Sequence, residues 1–178
     1  MAPGKVHRVV WKANIPRVIL LTLGVIAIFH RFWWAYWFAG ALLLSYLSAK
    51  YIEPDLDQPA LTTSDGSMIR DFPLVGYLFA IWWTGYAYLI FVFAVVTRTT
   101  NGYLGGHRTW ASHSIIPGTP LRQLWADTPI IAAFWVFNWN VNPSIIPIVL
   151  GQFAGLAIND FLHLRYDRKG IDYGKYEE

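Results

Sequence analysis

The sequence predicts an all-α, polytopic membrane helical bundle, and three observations carry that reading. Charged residues make up only 14% of the chain and hydrophobic residues 55%, against about 25% charged in an average soluble domain. Tryptophan, tyrosine and phenylalanine together reach 17%, which fits aromatic belts at the two interfaces of a bilayer. Apolar runs over 15–29, 32–52, 72–97, 129–139 and 145–162 are separated by polar, turn-rich stretches. At 178 residues the chain suits a single integral membrane domain, 1–178.

The elements follow in order. Residues 1–14 are polar and basic, and no small-residue cleavage site follows the first apolar run, so a cleaved signal peptide is not expected. Runs 15–29 and 32–52 read as a helical hairpin with a tight turn at His30-Arg31. Residues 53–71 lack periodicity and form a loop of functional length. The run 72–97 contains Pro73, Gly76, Thr84 and Gly85. It is expected to be broken or re-entrant, a backbone tolerated at membrane depth only when buried in protein or lining a cavity. Residues 98–127 form a second polar stretch punctuated by Gly, Pro and Thr. The fourth run, 129–139, ends at Asn140, Asn142 and Pro143, and a last helix covers 145–162. The tail 164–178 is charged and is expected to fray on the cytoplasmic side. About four helices should therefore cross the membrane, beside one broken segment.

Charge bias gives the orientation. Lys5, Arg8, Lys12 and Arg17 place the N-terminus in the cytoplasm by the positive-inside rule. Two crossings later Asp55 and Asp57 return to that side, and His163 falls beside Arg165, Arg168 and Lys169. The N-terminus, the loops bearing the candidate ligands and the C-terminus are all expected to be cytoplasmic. The basic residues read as topology signals and lipid contacts, not as a nucleic-acid surface.

There is no cysteine, which excludes disulfides, thiolate–zinc sites, iron–sulfur clusters and cysteine nucleophiles. Four of the five histidines lie in clusters with carboxylates beside the apolar runs. An apolar chain keeps few ionisable groups near a bilayer unless they have partners or a task, and histidine with carboxylate holds divalent zinc, manganese or iron. Asp55 and Asp57 follow Pro54; in extended backbone, residues i and i+2 face one side. The bland alternative is a loop-capping turn. His107 and His113 lie six apart after Gly105-Gly106, with Arg108 able to grip a phosphate or carboxylate and Ser114 able to orient a ligand or a water. Asp160, His163 and Asp167 share one helix face at i, i+3 and i+7; the competing reading is an ion pair with Arg165 or Arg168. His7, in the basic setting GKVHR, joins the set only through the wider pattern. His30 reads as an interfacial residue, and Trp33-Trp34 and Trp82-Trp83 as interface anchors.

Taken together, MAPGKVHRV, PDLD, HRTWASHSIIPGT and the late His163 resemble a family of uncharacterised metal-binding membrane proteins. That family is related to small predicted membrane-bound metal-dependent hydrolases. The resemblance spans about residues 1–167 and is most specific at His107-Arg108, His113-Ser114 and Pro117-Gly118-Thr119. It implies a divalent-metal site made by His7, Asp55, Asp57, His107, His113 and His163. Asp160 has no counterpart in that pattern, and the stretch between Asp57 and His107 is longer and more apolar than it.

The expected function is a membrane-embedded metal-dependent hydrolase with one or two ions, zinc first and manganese or iron next. It would act on a phosphoester or ester at the membrane surface, a lipid among the candidates. Arg108 would neutralise a phosphate oxygen in the transition state. The alternative is a non-catalytic accessory subunit of a larger membrane complex with a structural or vestigial metal. A transporter is disfavoured because the chain shows no internal repeat.

Overall fold

The computed structural model describes residues 4–49, 51, 73–97, 114–138, 140, 142, 143 and 145–169, with the backbone alone for 4–8 and 166–169. Among the described residues the chain is all helix: α1 (Gly4–Phe29), α2 (Trp33–Ser48), α3 (Pro73–Val96), α4 (Gly118–Val136) and α5 (Ile145–Lys169). The long helices arise where apolar sequence leaves no alternative partner for the backbone amides.

Three of the helices are long and apolar enough to cross a membrane: α1 over Val9–Phe29, α3 over Pro73–Val96 and α5 over Ile145–Arg165. This corrects the expectation of about four. The 16 residues of α2 reach about 24 Å at 1.5 Å per residue, short of a hydrocarbon core of about 30 Å. In α4 the polar residues of the first turns dilute the apolar stretch.

The segment 72–97 also differs from expectation, because α3 runs unbroken through it. Pro73 opens the helix, where its missing N–H has no intrahelical partner to lose. The Thr84 hydroxyl donates to the Ala80 carbonyl at 2.8 Å, so that polar group is satisfied within the helix. Gly85 faces Trp125 of α4; a β-carbon there would stand 3.0 Å from the indole. The residues that look like breakers are thus a start, a satisfied hydroxyl and a seat for an aromatic ring. Around that seat Trp82 stacks on Trp125 at a centroid distance of 4.8 Å, and Trp83, Tyr86 and Ile90 are buried against Leu121, Trp125 and Ala126.

The hairpin is as the sequence predicts. α1 ends at Phe29, His30 and Arg31 make the turn, and Phe32 is extended before α2. The two helices are clasped at their far ends: the Trp11 indole donates to the Tyr46 carbonyl at 2.8 Å, and the Tyr46 hydroxyl donates to the Trp11 carbonyl at 3.0 Å. α1 begins well before its apolar run, because Val10, Asn14 and Val18 bury one face.

α5 lies parallel to α2 at very short range. Gly151 leaves its side free for the Phe38 carbonyl, and Gly155 does so for the Leu42 carbonyl; a β-carbon on Gly155 would sit 2.9 Å from Ser45 Cβ. The pair Gly151-x-x-x-Gly155 lets two backbones approach, the packing device of helices in lipid. The Ser45 hydroxyl crosses the seam to the Gln152 carbonyl at 2.8 Å. α4 runs antiparallel to α5, with Thr119 opposite Asp160 and Asp127 accepting from Gln152 at 2.7 Å. It ends where Asn138 adopts a left-handed conformation, φ 53°.

Candidate metal centre

The pairings fix which helix ends share one end of the bundle. Trp11 with Tyr46 brings the start of α1 to the end of α2. Gly151 against Phe38 and Gly155 against Leu42 send α5 the same way as α2. Thr119 with Asp160 puts the start of α4 there too. One end of the bundle therefore gathers the start of α1, the end of α2, the start of α4 and the end of α5. Each of these ends adjoins, in sequence, one of the candidate ligand groups.

Asp160 is the best-defined of them. It is fully buried on α5, and its Oδ2 accepts hydrogen bonds from Thr119 Oγ1 and Arg122 on α4. Arg122 and Asp160 form a salt bridge with both side chains 1% exposed. Thr119 and Arg122 sit at i and i+3, so a single face of α4 delivers both donors. Of the arginines considered from sequence, Arg165 is exposed, and the side chain of Arg168 lies outside the described residues. A carboxylate at this depth is costly without a cation or hydrogen bonds beside it, and the first turns of α4 supply them. The other oxygen, Asp160 Oδ1, is buried and has no hydrogen-bond partner among the described residues. One oxygen of the carboxylate is thus held, and the other keeps unused acceptor capacity.

His163 lies one turn further along α5, 3% exposed, on the same face as Asp160. Ser114 lies just ahead of α4 and is half-buried; its Oγ accepts the Gly118 amide at 3.4 Å. Its hydroxyl therefore helps to cap a helix whose first amides lack intrahelical acceptors. Position 7 is on α1, one helical turn before Trp11, and position 167 is on the last turns of α5. Asp55, Asp57, His107, Arg108 and His113 lie outside the described residues. Among the described residues no three of His, Asp and Glu converge on a point; the structure brings together Asp160 and His163.

Thr119 and Arg122 are site residues that sequence reasoning passed over. They fall in the polar stretch read as loop. The signal was present: Asp160 interrupts an apolar run and so demands a cation, and Thr119 and Arg122 at helical spacing after Pro117-Gly118 are a suitable donor pair. No family model, no curated protein and no solved structure matches the chain.

Proposed function

We propose that this chain is an integral membrane protein that binds one or two divalent metal ions, zinc foremost, and hydrolyses a phosphoester or ester at the cytoplasmic membrane surface. The observation that carries the reading is the shared bundle end, where the buried Asp160 keeps Oδ1 without a hydrogen-bond partner among the described residues, one turn from the buried His163. The flanking sequence adds His7, Asp55, Asp57, His107, His113 and Asp167, a histidine and carboxylate set suited to zinc, manganese or iron.

In this reading Arg122 and Thr119 hold Asp160 in one orientation and balance its charge, as an outer shell orients a metal ligand. Asp160 and His163 on α5 would be ligands of such an ion, and the aspartate pair and His107 with His113 would be the further ligands that the sequence offers. Bound there, a divalent metal supplies Lewis acidity and lowers the pKa of a water. Arg108 grips a phosphate oxygen of the substrate, and Ser114 orders the start of α4. A closed ligand shell would instead suit a structural metal in an accessory subunit.

Metal content of the purified, detergent-solubilised protein tests the proposal. Wild type should carry one or two equivalents of metal, and the His107→Ala/His113→Ala variant should carry none. Hydrolysis of a generic phosphoester should then follow metal content. A wild-type protein that stays metal-free after incubation with zinc, manganese and iron refutes the metal centre. Metal without hydrolysis leaves the structural role.

A further inference from the structure

Arg17 presents a charge that no described acidic residue balances. It lies eight residues into the apolar stretch Val9–Phe29 of α1, about 12 Å along the helix axis. Its Nη1 donates to Asn14 Oδ1 at 2.8 Å, and it makes no ion pair among the described residues. Asn14 is 7% exposed and is itself anchored through Nδ2 to the Val10 carbonyl at 2.8 Å. A guanidinium has five donors in a fixed fork, and a charge at this depth is costly without a partner. Arg17 is exposed, and the Asn14 contact orients its guanidinium.

Beside Arg17 runs an apolar groove of about 460 Å³ between α1 and α5, lined by Val18, Leu21, Ile115, Ala157 and Phe161 among others. That volume lies within the range of sites that take small molecules. A clamped cation at the rim of an apolar groove facing the bilayer has one natural complement: an anion carrying a hydrocarbon chain.

We propose that the α1–α5 groove is a binding site for an anionic phospholipid. Its phosphate is gripped by Arg17 in a bidentate contact, and an acyl chain lies along Val18, Leu21 and Ala157. Asn14 is a positioning residue that aims the guanidinium. The assignment does not depend on the metal centre, since none of its residues is a candidate ligand.

Native mass spectrometry of the purified full chain tests it, with equimolar phosphatidylglycerol and phosphatidylcholine in mixed micelles. Wild type should retain phosphatidylglycerol preferentially. Arg17→Gln should lower that preference about fivefold, the effect of removing one basic residue near an anionic surface, while Arg17→Lys should keep most of it. Ala157→Phe, which fills the groove, should reduce retention of both lipids. Arg31→Gln removes the same charge at the opposite end of α1 and should change nothing. Circular dichroism of each variant confirms the helical fold. Equal retention of the two lipids by wild type, or an equal loss in Arg31→Gln, overturns the proposal. So does displacement of the lipid by millimolar inorganic phosphate, which would point to a simple anion site.

Discussion

Replacing Arg122 by methionine would leave the Asp160 carboxylate buried, with Thr119 as its remaining hydrogen-bond partner among the described residues. Because both side chains of the pair are 1% exposed, solvent cannot take over the lost interaction. Breaking a buried pair by removing one member costs about 3–5 kcal/mol. In a chain of this size each kcal/mol moves the midpoint by about 2–4 °C, so Arg122→Met should lower Tm by about 6–20 °C. Asp160→Leu should cost a similar amount by taking the carboxylate away from the buried guanidinium. The double variant carries neither charge and should recover most of the loss, giving a coupling well above the few tenths of a kcal/mol found for independent sites. Thermal unfolding in detergent, followed by tryptophan fluorescence, reads all four corners of the cycle. Additive losses, or no loss in Arg122→Met, would refute the pair as a stabilising contact. Metal content measured on the same four proteins separates the two roles of Asp160: the double variant should regain stability without regaining metal.

Other consequences are as readily checked. Gly155→Val should cost about 1–3 kcal/mol by overpacking the α2–α5 seam, whereas Gly40→Ala, with open space around its β-carbon, should stabilise by up to about 1 kcal/mol; Tm values in the opposite order would refute the seam. Trp125→Ala removes the ring that Trp82 and Tyr86 pack on, and hydrogen exchange should then rise in α3 more than in α2 or α5. Because the chain has no cysteine, single cysteines can map the bundle in vesicles with an impermeant thiol reagent. Ser48→Cys and Arg165→Cys should label from one side and Arg31→Cys from the other, and labelling of all three from one side would contradict the arrangement of helix ends.

How far the sequence could be read depended on whether a residue's role was local. The turn at His30-Arg31 and the last helix were legible because hydropathy changes where the backbone does. The start of α4 was not: Thr119, Arg122 and Gln123 look like loop residues, and they are helical because α5 offers Asp160 and the Val149 carbonyl as acceptors. Pro73 and Gly85 misled for the same reason, since only the packed structure shows that one starts α3 and the other receives an indole. The closest helix contact was spelled out in Gly-Gln-Phe-Ala-Gly at 151–155, a small-residue pair that hydropathy does not register. Of the candidate centre, the sequence identified Asp160 and His163 as sharing a face, but not the donors that hold Asp160.

The paired bonds between Trp11 and Tyr46 have a mechanical corollary. Each side chain donates to the other's main-chain carbonyl, so sliding α1 past α2 by even one residue, about 1.5 Å, would break both at once. A piston stroke along the membrane normal is therefore closed to this hairpin. Any movement left to it is a pivot about that clasp, with the swing greatest at the His30 turn and least at the end that holds Asp160 and His163.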